Sequence, residues 1–209
     1  MLGWIAGAAA LVAIVVTWVN LDFIQKTDTF VGNLHQNLAA TFHSMQTATS
    51  SLALSSPAFE ATASIPVEYT CDVPASSGSP KSPPLTIRGV TAEAKSLVLL
   101  MDDPDVPKAL RPDGVFDHWV LFNIPPTATD IAEGETVGVA GANGAGTAAY
   151  VGPCPPKQYE PSEHRYFFKL YALDTMLELP AGSTKAQVEE AMKGHVLHEA
   201  ELMGKYKRE

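Results

Sequence analysis

Four side chains in the middle of this sequence combine residue types that bind anions or move protons: Asp103, Asp105, His118 and His164. Asp103 and Asp105 sit in Asp103-Pro104-Asp105-Val106-Pro107, separated by Asp102 alone from the apolar run Ser96–Met101. His118 opens the run HWVLFNI, and His164 stands just before Tyr166-Phe167-Phe168-Lys169-Leu170-Tyr171. Each group therefore stands at the end of a segment with strand character. If those ends meet on one side of a sheet, two carboxylates and two imidazoles converge. Carboxylates beside buried imidazoles favour the charged imidazolium and raise its pKa. Two imidazolium groups then hold a dianion such as phosphate, and Tyr166 adds a hydroxyl donor. The expected site is locally positive in an acidic protein. Taken singly, each residue has an ordinary role: Asp before Pro forms turns, and a histidine at a strand start usually packs.

The elements that would position them are mostly strands. SLVLLM (Ser96–Met101) is a near-continuous apolar run, which predicts a central strand buried on both faces. HWVLFNI (His118–Ile124) predicts a second core strand, closed by Pro125-Pro126, and the aromatic run from Tyr166 a third. Leu85–Arg88 reads as a short strand, and Ile65–Thr70 as another, at an edge because of Pro66. The loop Gly152-Pro153-Cys154-Pro155-Pro156 is stiff, because proline fixes φ and lacks an N–H donor. It is expected to form one wall of the pocket. In the tail, Thr184 with Gln187 has the spacing of a capping box. Val188, Ala191, Met192, His195 and Leu202 then suggest a helical face that stops at Gly204. A β-sandwich-like domain with peripheral helices is the expected architecture.

Composition limits the partners. The 209 residues carry a net charge of -9 and offer no basic stripe, which argues against nucleic acid. Sixteen prolines and fifteen glycines suit an all-β domain with many turns. Leu2–Val19 carries no charge, is long enough to cross a bilayer, and has Trp4 and Trp18 near its ends. Without a basic start or a small-x-small cleavage site it reads as an uncleaved N-terminal hydrophobic helix, a membrane anchor over residues 1–20. Phe30, Leu34, Leu38, Phe42 and Met45 form an apolar stripe within residues 21–51. That stripe suits packing on the domain, on the membrane, or on a second chain as a homodimer. The main domain is expected over residues 52–209.

Competing chemistry is less well supported. Cys71 and Cys154 pair in an oxidising compartment or stay free in a reducing one. No HxH, HExxH or CxxC spacing points to a metal, and none is expected. An Asp/His hydrolase built on Asp103 and His118 is an alternative, although no GxSxG elbow exists. Gly141–Gly146 lacks the GK[ST] ending of a nucleotide loop and reads as a flexible turn.

The ordered motifs resemble one family. DPDVP at Asp103–Pro107, His118-Trp119, and GPCPP followed by HRYFFKLYALD up to Asp174 are similar to the phosphatidylethanolamine-binding protein family, in its prokaryotic-type, Raf kinase inhibitor-like branch. Thr70-Cys71-Asp72, SPPL at Ser82–Leu85 and the tail from Gly194 to Leu202 agree, so the resemblance covers roughly residues 52–208. It implies an antiparallel Greek-key β-sandwich with peripheral helices, whose pocket takes phosphate-like anions and phospholipid headgroups. Carried over by residue, the pocket comprises Asp103, Asp105, His118, Gly152, Pro153, Pro155, His164 and Tyr166. The resemblance also implies a binding or regulatory protein and not an enzyme, needing no cofactor. Inhibition of a kinase or serine protease through the pocket rim is an alternative. The tryptophan common after SPPL in this branch is absent; Leu85-Thr86-Ile87 stands there.

Overall fold

A computed structural model describes residues 51–209. The anchor and amphipathic stripe expected before residue 51 lie outside the described residues. Among the described residues no helix is long and apolar enough to cross a membrane.

Among the described residues, eight strands form two antiparallel sheets. The smaller has the order β1-β2-β5, from β1 (Ala53–Ser55), β2 (Leu85–Arg88) and β5 (Asp130–Ile131). The larger has the order β6-β4-β3-β7-β8, from β3 (Ser96–Asp103), β4 (Phe116–Ile124), β6 (Val139–Ala140), β7 (Glu163–Leu173) and β8 (Val196–Lys207). Within it, β7-β3-β4-β6 follows the 4-1-2-3 pattern of a Greek key. One helix, α1 (Lys185–Met192), and two single-turn 3-10 segments accompany the described strands.

The larger sheet is covered on both faces, which accounts for the unbroken burial of β3. Leu97, Leu99 and Met101 point toward the smaller sheet and meet Leu54, Leu85, Ile87 and Ile131. Val98 and Leu100 point the other way and pack with Val120, Phe122, and Val188 and Met192 of α1. A central strand can be apolar at every position only where both faces lack water. The front face, toward the smaller sheet, carries the site described below.

Two expectations fail at the ends of the domain. The tail helix stops at Met192, and residues 196–207 are strand β8 instead. Gly194, at φ +81°, breaks the helix ten residues before the expected stop at Gly204. Beyond it, Leu202, Gly204 and Tyr206 are buried alternately, the period of a strand. Ile65–Thr70 is not a strand: Val67–Tyr69 is a 3-10 turn, and only Ser64 bridges β8 at Lys205. The capping box does form, with Thr184 accepting from the Gln187 N–H and the Gln187 side chain accepting from the Thr184 N–H.

Candidate binding cavity

Antiparallel pairing brings the polar strand ends together. The C-terminal end of β3 lies between the N-terminal ends of β4 and β7, so Asp103, His118 and His164 meet at one end of the sheet. The three line a cavity of about 230 Å³ with Val106, Leu110, Phe116 and residues of the Val151–Pro156 loop. Asp103, His118 and His164 are all at least nine-tenths buried.

Each polar group has a defined role. His164 Nδ1–H donates to Asp103 Oδ2 at 2.6 Å, since a carboxylate only accepts. The other carboxylate oxygen, Oδ1, accepts from the Asp105 backbone N–H at 2.8 Å. His118 Nδ1–H donates to the Val151 carbonyl at 2.7 Å, which fixes its tautomer. Its ring meets Phe116 and Tyr166 edge-on, at 4.8 and 5.2 Å between centroids. Four buried side-chain atoms among the described residues have no hydrogen-bond partner, and two of them belong to this cluster: His164 Nε2 and the Tyr166 hydroxyl; the others are Thr91 Oγ1 and Arg111 Nε. Tyr166 lies near enough to Asp103 for the carboxylate to disfavour its phenolate, but not in hydrogen-bond geometry. Burial is the larger cause and pushes the Tyr166 pKa strongly upward.

The charge expected on His118 is not found. Burial pushes the His118 pKa below its ordinary value, and this outweighs the Val151 hydrogen bond and the attraction of Asp103 and Asp102. Desolvation penalises the charged form of a ring that no carboxylate touches. At neutral pH His118 is therefore an uncharged ring with a free lone pair on Nε2, and the site is not built from two imidazolium groups.

Asp105 turns away from the cavity group. Its carboxylate accepts from Arg165 Nε and Nη2 at 2.9 and 2.7 Å, and from the Arg165 backbone N–H at 2.9 Å. The bidentate guanidinium holds the Asp105 pKa below the usual carboxylate range. Asp105 thus ties the loop after β3 to the start of β7. Pro153 and Pro155 are buried within the other loop, whereas Cys154 and Pro156 line the cavity.

That loop is held at several points. Cys71 and Cys154 form a disulfide, with Cα atoms 5.3 Å apart across 83 residues of sequence. The Cys71 N–H donates to the Pro153 carbonyl at 3.0 Å. A Cβ on Gly152 would stand 2.7 Å from the Tyr69 carbonyl oxygen, so only glycine fits. The Gly141–Gly146 turn is likewise pinned. Asn143 donates to Thr147 Oγ1 and the Ala149 carbonyl and accepts from the Ala145 and Thr147 N–H groups.

Sequence reasoning missed Val151, Phe116, Leu110 and Arg165. Val151 acts through its backbone, which its side-chain identity does not advertise. Phe116 is the cross-strand partner of Asp103, a relation that only the register reveals.

Fold and site define a small antiparallel β-sandwich with an imidazole–carboxylate cavity at its strand ends. The sequence matches the family model of phosphatidylethanolamine-binding protein over residues 55–207. An UPF0098 protein of Methanothermobacter thermautotrophicus is 48% identical over 162 residues, covering 74% of this chain and 98% of that one. An UPF0098 protein of Chlamydia pneumoniae is 46% identical over 156 residues, with the same coverage. The crystal structure of a phosphatidylethanolamine-binding protein homolog from Chlamydia trachomatis superposes with a TM-score of 0.70 at 44% identity, covering 76% of this chain and 99% of that one. YbcL of E. coli, described as a new member of the mammalian PEBP family, gives 0.64 at 26% identity and the same coverage. The chain belongs to the phosphatidylethanolamine-binding protein family, with close relatives among bacteria and archaea.

Proposed function

We propose that this domain is a non-catalytic binding module for phosphate-like anions, including phospholipid headgroups, and that residues 2–19 tether it to a membrane. One observation carries the reading: two buried polar atoms, His164 Nε2 and the Tyr166 hydroxyl, lack partners beside a cavity lined by His118. An unsatisfied buried polar group costs about 1–3 kcal/mol, and a ligand oxygen that pairs with it recovers part of that cost. Tyr166 offers an O–H donor to such an oxygen. His164 keeps its Nδ1–H on Asp103, which leaves Nε2 for the ligand. Neutral His118 accepts a hydrogen from a singly protonated phosphoryl group. The apolar lip of Val106, Leu110 and Phe116 suits the carbon of a phosphomonoester rather than a bare ion.

The same geometry supports binding over turnover. Among the lining residues, the Cys154 sulfur is held in a disulfide. The Tyr166 phenol is kept protonated by burial. His118 is tied to a carbonyl and has no hydroxyl partner to activate.

The test is a titration of the full chain with inorganic phosphate, phosphorylethanolamine and short-chain phosphatidylethanolamine, following the His118 and His164 ring resonances. Shifts with phosphorylethanolamine but not with phosphate identify a headgroup site, and shifts with both a phosphoryl site. If neither ring moves at millimolar ligand, the reading fails.

A further inference from the structure

The strongest unexplained feature lies behind the cavity, on the opposite face of the same three strands. Register between β3 and β4 runs Leu100↔Val120, Met101↔Trp119, then Asp102↔Asp117 and Asp103↔Phe116. One step on β3 matches two on β4, so His118 is the extra residue of a β-bulge. The consequence is directional. Trp119 packs in the core between the sheets, and His118 lines the cavity on that same side. In a regular strand two consecutive side chains point to opposite faces. Without the bulge, the front position of His118 would be lost to the face packed by α1.

The first pair beyond the bulge, Asp102 and Asp117, points backward. Two carboxylates facing one another across a ladder repel and would open it. A single ammonium group sits between them. Lys185, the first residue of α1, places Nζ 2.7 Å from Asp102 Oδ2 and 3.2 Å from Asp117 Oδ1, with its side chain only 13% exposed. Lys169 of β7 also reaches Asp102 Oδ2, at 3.0 Å, and has no contact of that kind with Asp117. Lys185 is thus the cation that joins β3 to β4 here, whereas Lys169 joins β3 to β7.

Lys185 is itself firmly placed. Thr184 caps α1 and pairs with Ala142, and the Ala142 N–H donates to the Ser183 carbonyl at 2.9 Å. Gly141 lets the two segments approach, since a Cβ there would meet Val120 at 2.5 Å and the Ser183 carbonyl at 2.6 Å. The charge arrives on a fixed scaffold rather than a free side chain.

We infer that Lys185 is a positioning residue for the cavity: by bridging Asp102 and Asp117 it holds the β-bulge that aims His118 at the ligand. Helix α1 thereby sets the geometry of a site it does not touch. The inference rests on the binding function proposed above for its consequence, but the placement of His118 is testable without any ligand.

The experiment compares Lys185→Met, Lys185→Arg and Lys169→Met in the full chain with histidine-labelled nitrogen. The first readout is the His118 ring spectrum, in which the Nδ1–H bonded to Val151 marks the native aim. The second is phosphorylethanolamine affinity. Lys185→Met should displace the His118 signals and weaken binding about tenfold, a usual loss when a supporting group stops orienting a binding residue. Lys185→Arg should restore both, because it keeps a cation in reach of the two carboxylates. Lys169→Met should leave the His118 signals in place. Unchanged His118 signals in Lys185→Met would overturn the inference, even if that variant melts at lower temperature. So would an equal displacement in Lys169→Met, since the role would then be neutralisation of Asp102 alone. If Lys185→Met does not fold, Asp117→Asn removes the β4 end of the bridge and must displace His118 in its place. A wild-type chain that ignores phosphorylethanolamine sinks the binding function only; the ring spectra still decide the role of Lys185.

Discussion

Asp102 and Asp103 are neighbours on β3, equally buried, and face opposite ways. On the back face the buried carboxylate has its partners. Asp102 is paired with Lys169 and Lys185, and Lys185 also reaches Asp117 and Glu189. The front face is left incomplete. Asp103 has His164, yet His164 Nε2 and Tyr166 have no partner, and His118 is neutral beside them. Protein interiors rarely tolerate unpaired polar atoms, and two of them beside one cavity are the ground on which we propose a ligand there. The contrast also shows that a buried charge does not by itself mark a site. What separates the two faces is whether the protein satisfies its own polar groups.

The comparison can be broken at several points. Asp103→Ala should have the largest combined effect on stability and binding, because it leaves His164 buried without its carboxylate. A loss of roughly 3 kcal/mol in urea unfolding is expected, together with loss of anion binding. Replacing both Cys71 and Cys154 by Ser should cost roughly 2–5 kcal/mol on the same measurement, given the long loop that the disulfide closes. A smaller loss would mean that Gly152 and the Pro153 carbonyl contact hold the wall unaided.

Acid should separate the faces next. The folded pKa of His118 lies below its unfolded value, so the unfolded chain binds more protons in between. Its neutral burial costs nothing above about pH 6.5, and stability then falls as pH drops below that value. Saturating phosphate should flatten this fall in thermal melts, because an anion favours the imidazolium. His118→Gln should remove that component and leave the losses near pH 4 from Asp105 and Asp72, whose pKa values are lowered by Arg165 and Arg208. Phosphate affinity should rise between pH 8 and pH 6. Sulfate, which does not titrate there, tells protonation of the protein from protonation of the ligand.

Tyr166→Phe should have the smallest effect on stability and the sharpest meaning. Removing an unpartnered buried hydroxyl should leave stability unchanged or raise it by up to about 1 kcal/mol, while phosphorylethanolamine affinity falls about fivefold. Equal losses in both would show that the hydroxyl serves the fold and not the ligand.

Much of this was legible in the residue order. The three core runs beginning at Ser96, His118 and Tyr166 correspond to β3, β4 and β7, because sustained apolar and aromatic runs have few ways to be buried. The capping box of Thr184 and Gln187 is a local device and was readable as such. The tail beyond Gly194 was not. Helical and strand periods overlap over a few residues, and only pairing with β7 along nearly all of its length decides for a strand. The charge on His118 was also out of reach, because desolvation depends on what surrounds the ring and not on which carboxylates are near in sequence.

The amino-acid sequence by itself determined the family, the apolar strands, the stiff Gly-Pro-Cys-Pro-Pro loop and the residue types that meet at the cavity. Those properties are local: periodicity, proline geometry and motif order need no partner. Tertiary structure alone decided which of the four polar residues face the cavity, that Asp105 belongs to Arg165, that Cys71 and Cys154 join, and that a bulge turns His118 forward. Each of these depends on strand register, where a shift of one residue exchanges front for back.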